Sequence, residues 1–239
     1  MTTSGIGSKL LIDKSKVRQL EQELTPTKGD RPTNKRMTGE ARRLDILTTA
    51  LTTFAQTGYH STSMNEIAAA AGVTKPVIYQ HFDSKRHLYR QLIVQEGRRL
   101  IDQIATATAP SESGHQQVVS GFASYFRFAF ENRSSYDLLF GSEARLEDDF
   151  KDAIADIEDE IAELVTNRIQ IDADAHYRRV LAMGIIYMIE GSVRTWRNSW
   201  NDENQIGSFE QSGGMELASQ LADLAWYGLR GVGSTPLLQ

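Results

Sequence analysis

The chain of 239 residues contains no cysteine, which excludes disulfide bridges and thiolate metal sites. It has only five prolines, and no apolar run approaches the ~18 residues that a membrane span requires. Residues 1–11 lack the apolar segment and cleavage site of a signal peptide. These absences predict a cytoplasmic, all-α protein with no membrane partner. Its hydrophobic share of 40% is ample for a buried core.

The net charge of −5 is distributed unevenly along the chain. Residues 1–90 carry 14 Lys and Arg against 8 Asp and Glu, whereas residues 91–239 carry 12 against 23. A basic first part followed by an acidic second part is typical of a DNA-binding domain with a separate regulatory domain. An accidental bias of surface charge is the alternative.

Residues 63–82 have the pattern of two short helices joined by a tight turn. Ser63 and Glu66 have the spacing of a capping box, which starts a helix. Gly72 suits the left-handed conformation that ends one, and Thr74 is placed to cap the next. The pattern predicts a helix-turn-helix, whose second helix enters the major groove of DNA. An ordinary corner between two helices would have the same spacing.

The first turn of that second helix would face the base edges. A lysine there can donate to guanine, a threonine can bond a base or a phosphate, and a proline can contact a thymine methyl group. The predicted base-reading residues are Thr74, Lys75, Pro76 and Gln80.

The sequence around this motif resembles the DNA-binding domain of the TetR family of bacterial regulators over residues 40–95. By this resemblance, several side chains would contact backbone phosphates, and their hydroxyl, imidazole and ammonium groups suit phosphate oxygens. These residues are Tyr79, His81, Lys85 and one or both of Thr62 and Ser63. The family often has glycine where this chain has Pro76. The shared positions are Ile46, Leu47, Ala50, Phe54, Gly58, Tyr59, Ser61 to Ser63, His81 to Lys85 and Leu88.

The resemblance implies a three-helix DNA-binding domain joined by a long helix to a helical bundle that binds a ligand and dimerises. We therefore divide the chain into a mostly disordered basic arm (1–37), a helix-turn-helix domain (38–95) and a ligand-binding and dimerisation domain (96–239). The basic end of the arm either enters the DNA minor groove or stays solvated. Hydrophobic periodicity predicts long helices over 39–57, 84–106, 115–132, 143–169, 173–201 and 215–229, and a short helix over 134–140.

TetR-family regulators dimerise through their last two long helices, and both helices here carry abundant apolar residues. The predicted interface residues are Ile185, Met188, Ile189, Val193, Leu217, Leu221 and Leu224. Two copies would read two half-sites of a palindromic operator, about 34–36 Å apart. The expected partners are double-stranded DNA, a second copy of the chain and a small-molecule effector.

The effector site of the family lies inside the helical bundle. The predicted lining is Phe122, Tyr125, Phe126, Tyr136, Phe140, Ile154, Met183, Tyr187 and Trp196. This set suits an apolar or acyl-bearing effector, with no metal or other cofactor; a core filled by its own side chains is the alternative. Segments 58–60, 75–82, 136–140 and 225–229, together with Trp196 and Trp200, resemble actinobacterial regulators of fatty-acid synthesis that sense long-chain acyl-CoA.

Other classes of protein fit the sequence less well. A repressor that senses drugs or small aromatic compounds would have the same fold. An all-α metal-dependent enzyme would use the carboxylate row within residues 148–163, but a di-metal site needs Glu-x-x-His on two facing helices. One such pair exists, Glu112 with His115, and it falls in a turn-rich loop. A scaffold that docks through its first domain is a third class. We predict a DNA-binding transcriptional regulator without a catalytic residue.

Overall fold

A computed structural model describes residues 38–109, 113–141, 148–169, 171–199 and 208–231. These residues form helices and connecting turns, with no β-strand among them, as the sequence predicted. The predicted disordered arm lies outside the described residues. The α-helices are α1 (Gly39–Thr57), α2 (Met64–Ala70), α3 (Lys75–His81), α4 (Lys85–Ala107), α5 (Gly114–Glu131), α6 (Arg133–Phe140), α7 (Asp148–Thr166), α8 (Ala175–Asn198) and α9 (Gly214–Gly231).

The ends of these helices lie close to their predicted positions, because the sequence marks them with capping residues. Ser84 Oγ accepts a hydrogen bond from the His87 amide at 3.0 Å and so begins α4. Asp174 does the same for the Tyr177 amide at 2.7 Å and begins α8. The predicted start of α7, at residue 143, falls outside the described residues.

Helices α1 to α3 enclose a small apolar core. Ile46 from α1, Ile67 from α2 and Ile78 from α3 are completely buried there, together with Phe82. Gly58 follows α1 with a φ of 81°, a left-handed conformation that glycine adopts at little cost. The Gly58 amide donates to the Phe54 carbonyl at 2.8 Å, which closes the last turn of α1.

Helix α4 runs from this first core into the second half of the molecule. Its first turns bury Leu88 and Leu92 and its last turns bury Leu100 and Ile104, and it contacts α1, α5, α6 and α7. Midway, Gly97 faces α7 so closely that an added Cβ would collide with the Ile157 side chain. The absence of a side chain at Gly97 therefore allows the close approach of α4 and α7.

Packing continues across the border that we predicted between residues 95 and 96. The described residues from Gly39 onward belong to one compact unit, in which α1 packs against α6. In the second half, α5 pairs with α9 and α7 pairs with α8. None of the helices in the described part of the chain combines the length and the apolar character that crossing a bilayer requires. The border between residues 95 and 96 therefore stays a prediction about which part of the chain has which function.

Candidate nucleic-acid interface and effector cavity

Helix α2 begins at the predicted capping box. Ser63 Oγ accepts a hydrogen bond from the Glu66 amide at 3.2 Å, and the Ser63 amide donates to Glu66 Oε2 at 2.7 Å. Hydrogen bonds from the Ser63 amide and then its hydroxyl hold the pKa of the Glu66 carboxyl below its ordinary value, with a smaller effect from the charge of Lys85. The start of α2 is therefore fixed by reciprocal bonds.

The turn between α2 and α3 is a helix-ending glycine motif. Gly72 has a φ of 64°. Its amide donates to the Ala69 carbonyl at 3.1 Å, and the Val73 amide donates to the Ala68 carbonyl at 2.9 Å. A residue with a side chain would be strained at Gly72 by about 1–2 kcal/mol, since left-handed backbone brings Cβ against a carbonyl oxygen. These bonds set the direction in which α3 leaves α2.

Helix α3 turns one face to the core and the opposite face to solvent. Ile78 is buried on the inner face. Thr74 occupies the N-cap position (φ −82°, ψ 157°), but its side chain makes no capping hydrogen bond, in contrast to our prediction. Its hydroxyl is thus left for an external partner. The exposed residues of this outer face are Thr74, Lys75, Pro76, Tyr79 and Gln80, which include all four predicted base readers.

Burial distinguishes the two side chains, Thr62 and Ser63, that were alternatives for one predicted phosphate contact. Thr62 is only 2% exposed, and its Oγ1 lies 2.6 Å from the Gly58 carbonyl and 2.5 Å from Thr57 Oγ1. A buried hydroxyl with two partners does not face DNA, so Ser63, which is exposed, remains the candidate. Tyr79 is 41% exposed, and His81 is half-buried beside it.

Lys85 makes hydrogen bonds within the protein that the sequence did not predict. Its Nζ donates to the main-chain carbonyls of Tyr59 at 2.7 Å, His60 at 3.2 Å and Thr62 at 2.9 Å. An ammonium has three N–H donors, and here all three are used. Nζ also lies 4.4 Å from the centroid of the Tyr59 ring. Lys85 therefore fastens the loop before α2 to the start of α4, and the phosphate contact implied by the resemblance would require it to release one of these bonds.

An aromatic cluster connects this loop with helix α7. The ring centroids of Tyr59 and Phe150 are 5.0 Å apart, and those of Tyr89 and Phe150 are 4.6 Å apart. Phe54 completes the group at 5.0 Å from Tyr89. Phe150 belongs to α7, and it is completely buried. No local pattern in the sequence predicts that Phe150 contacts residues of the first half of the chain.

A cavity of about 460 Å³ lies in the second half of the molecule. Two of the nine predicted residues, Phe122 and Tyr125, line it. More than half of the described lining residues are aliphatic, and they come from α4, α5, α7, α8, α9 and the segment that follows α7. The lining residues are Ile104, Thr108, Gly114, Gln117, Val118, Gly121, Phe122, Tyr125, Ile161, Leu164, Val165, Arg168, Ile169, Ile171, Ile185, Ile186, Ile189, Ala225 and Trp226.

The other seven predicted residues lie outside the lining of this cavity. Aromatic rings there pack on one another instead: the Tyr136 and Phe140 centroids are 4.9 Å apart, and Phe126 lies 5.3 Å from Trp196. Tyr187 points away, with 52% of its surface exposed. Ile154 is buried and Met183 is partly buried against the core. Spacing on α7 would have been the better signal, because Ile161, Leu164 and Val165 recur at i, i+3 and i+4.

The predicted interface residues differ in their burial within a single copy. Val193 and Ile189 are 0% and 8% exposed within a single copy, so they belong to its core, and Ile185 lines the cavity. Met188, Leu217 and Leu221 are partly buried against the core. Leu224 is 62% exposed, as an interface residue would be. Other large apolar side chains exposed on α8 and α9 are Val180, Tyr187, Met215 and Tyr227.

Metal-ligating side chains are not grouped in the part of the chain that the structure describes: no three His, Asp or Glu residues converge there. His115 instead pairs with Asp223 of α9, with 2.7 Å between Nε2 and Oδ1. Glu112, its partner in the Glu-x-x-His pattern, lies outside the described residues.

Comparison with known proteins places this architecture among bacterial regulators. Residues 46–92 match the family model described as bacterial regulatory proteins, tetR family. The chain is 30% identical over 179 residues to the HTH-type transcriptional activator FasR of Mycolicibacterium smegmatis, which covers 74% of this chain and 81% of that protein.

Solved structures share the fold over most of the chain. A TetR-like transcriptional regulator from Rhodococcus sp. RHA1 superposes with a TM-score of 0.63 at 24% identity, over 82% of this chain and 100% of that one. The transcriptional regulator FadR from Bacillus subtilis, in complex with stearoyl-CoA, gives a TM-score of 0.61 at 16% identity, over 76% and 96%.

Proposed function

Since this chain belongs to the TetR family of bacterial transcriptional regulators, we propose that it binds a palindromic DNA operator as a dimer and changes its affinity for DNA when an acyl-bearing effector fills its cavity. The observation that carries the proposal is the path of α4. One end of this helix is bonded to the loop before α2, and the other end contributes Ile104 to the cavity wall. One rigid element thus borders both sites.

The exposed face of α3 supports DNA reading by chemistry as well as by position. No described residue bonds or pairs with the Lys75 side chain, so its ammonium is available to guanine acceptors in the major groove. Thr74 and Gln80 add a hydroxyl and an amide on the same face. Ser63, Tyr79 and His81 flank it as the proposed phosphate contacts. Phosphate contacts would set the register, while Lys75 and Gln80 would read the sequence.

The exposed apolar residues of α8 and α9 support a dimer. Leu224 and Tyr227 lie on α9 and are more than half exposed, as are Val180 and Tyr187 on α8. Apolar groups of this size gain free energy when a second copy covers them, and a two-fold interface uses the same patch on both copies. Two recognition helices would then face adjacent half-sites of one operator.

The cavity supports an effector with a long apolar portion. Natural interiors are packed as tightly as organic crystals, so an aliphatic cavity of about 460 Å³ has the size of a ligand site rather than of a packing defect. FadR of Bacillus subtilis, which shares the fold, holds stearoyl-CoA. A regulator of lipid metabolism that responds to acyl-CoA is the function these features favour.

The effector would act by a shift of population. A dimer with a DNA-competent and an incompetent arrangement moves toward whichever one the ligand binds more tightly. A coupling of 1–3 kcal/mol changes DNA affinity by about 5–150-fold. A ligand that contacts Ile104 would affect the position of the DNA-binding half through α4. A ligand that contacts α7 would affect it through Phe150.

The test combines operator selection with ligand titration on the full chain. Randomised DNA would be enriched by the purified protein, and the affinity for the selected sequence would be measured with acyl-CoAs of graded length. We expect a palindromic operator, and a concentration of acyl-CoA for half-maximal effect that falls about fourfold per added methylene until the cavity is full. Sequence-independent DNA binding would contradict operator recognition. Affinity indifferent to every acyl-CoA would contradict the effector proposal and favour a small aromatic compound, which the same titration would then test.

A further inference from the structure

One charged residue, Arg168, stands among the residues that line the cavity. The rest of the lining is apolar apart from a few neutral polar groups, among them Thr108 and Gln117. Arg168 follows α7 in the chain and is exposed to solvent, so it marks the place where the aliphatic interior meets water. The cavity therefore has an apolar interior and a positively charged rim.

Main-chain carbonyls hold the Arg168 guanidinium in place. Its Nε donates to the Thr108 carbonyl at 3.0 Å, at the end of α4, and its Nη1 donates to the Leu164 carbonyl at 3.2 Å, in the last turn of α7. A guanidinium has five N–H donors. Three of them are left after these two bonds, on a group whose orientation is already fixed.

The charge of Arg168 has no carboxylate partner among the described residues. Other arginines around α7 are paired: Arg98 with Glu160 at 2.5 Å, and Arg179 with Asp159 at 2.6 Å. An oriented cation without a carboxylate partner in the described part of the chain, at the rim of an apolar cavity, is suited to an anion that arrives with the ligand.

We infer that Arg168 binds the anionic group of an amphiphilic effector whose apolar chain occupies the cavity. This inference rests on the proposed acyl effector and specifies which residue distinguishes a charged amphiphile from a neutral one. Carboxylates and phosphates both accept paired hydrogen bonds from a guanidinium, so a free fatty acid and an acyl-CoA offer the same chemistry at this rim. Contact with Arg168 would also change the hydrogen bonds that tie the ends of α4 and α7 together.

The experiment compares three twelve-carbon ligands by calorimetric titration of the full chain: laurate, lauroyl-CoA and the neutral 1-dodecanol. In Arg168→Gln, we expect the affinity for at least one anionic ligand to fall about 10–100-fold, because charge-assisted hydrogen bonds are lost. The affinity for dodecanol should stay within about twofold. A loss for laurate alone would identify a carboxylate at the rim, and a loss for lauroyl-CoA alone would identify a phosphate.

Two further variants separate binding from structure. Arg179→Gln removes a paired arginine of the same region and should leave all three affinities unchanged. Arg168→Lys keeps the charge but not the planar fork, and should weaken anion binding severalfold while sparing dodecanol. It also serves if Arg168→Gln proves unstable. Equal losses for all three ligands in the Arg168 variants, or no loss for either anion, would overturn the inference. Failure of wild-type protein to bind any of the three would instead refute the acyl effector itself.

Discussion

The two ends of α4 are built on opposite principles. Lys85 is the first residue of α4, and all three of its N–H groups donate to main-chain carbonyls. The rings of Tyr59 and Tyr89 pack beside it. At the last turns of α4, Ile104 and Thr108 border a cavity that is left open by the described side chains. One end is saturated with internal contacts, and the other leaves room for a molecule from outside.

This difference shows what each end must do. A recognition helix reads bases by direct hydrogen bonds, which are lost when donors are misplaced by an ångström or less, so its support has to be rigid. An effector site must instead gain contacts on binding, and unfilled apolar volume supplies them. We expect the largest effect on this difference between the two ends from removal of the Phe150 ring, which connects the two halves of the molecule.

Phe150→Ala removes the α7 contribution to the aromatic cluster. Truncation of a fully buried phenylalanine lowers the free energy of unfolding by about 3–5 kcal/mol, which urea denaturation would measure. Phe209→Ala is the matched control, because Phe209 is equally buried but packs against Trp196 and Phe130. At temperatures where both variants are folded, only Phe150→Ala should weaken operator binding. Equal DNA affinities for the two would show that the cluster is structural alone.

Lys85→Met leaves three carbonyls in the loop before α2 without their donor. We expect a loss of roughly 1.5–3 kcal/mol in the free energy of unfolding, the range for hydrogen bonds to charged groups. The salt dependence of DNA binding decides the role of the residue. If Lys85 only positions the loop, affinity falls while the salt slope stays the same. A slope smaller by about one unit would instead restore the phosphate contact that the family resemblance implies.

Lys75→Ala tests whether the exposed face of α3 recognises DNA bases rather than stabilising the fold. Discrimination between the selected operator and a base-substituted one should fall by about 1–3 kcal/mol, with little change in stability. Lys151→Ala is the control, since Lys151 is an exposed lysine that pairs with Asp148 on α7. Equal losses on operator and random DNA would reassign Lys75 to a phosphate.

Glu66→Gln gives the smallest effect and depends on pH. The folded-state pKa of Glu66 is depressed, chiefly by the hydrogen bond from the Ser63 amide, so its contribution to stability is present above the unfolded pKa and is lost as pH falls through the folded one. The stability difference between wild type and variant should therefore shrink on acidification from about pH 7 to below pH 4. A difference that does not vary with pH would show that the carboxylate charge adds nothing to the cap.

Local signals in the sequence predicted the helices and the motif, because a capping box or a glycine turn acts over three or four residues. Contacts between distant parts of the chain left no such signal. Lys85 bonds to main-chain carbonyls some 25 residues away. Every residue has such a carbonyl, so the amino-acid sequence does not mark which ones accept the bonds. The predicted effector site overlaps this cavity at Phe122 and Tyr125, while the predicted rings of Phe126, Tyr136, Phe140 and Trp196 pack on one another instead. More than half of the described lining is aliphatic and comes from helices that are distant in the sequence, so no local pattern marks it.

The close approach at Gly97 is where we expect α4 to pivot. An added Cβ there would collide with the Ile157 side chain, so the two helices lie nearer to each other at this point than a side chain would allow. With a rise of 1.5 Å per residue, Lys85 lies about 18 Å to one side and Ala107 about 15 Å to the other. Arms of nearly equal length neither amplify nor damp a displacement; they reverse it. A ligand that pushes the last turn of α4 outward would therefore tilt the DNA-binding end by a similar distance in the opposite direction, and in a two-fold dimer the spacing of the recognition helices would change by up to twice that amount.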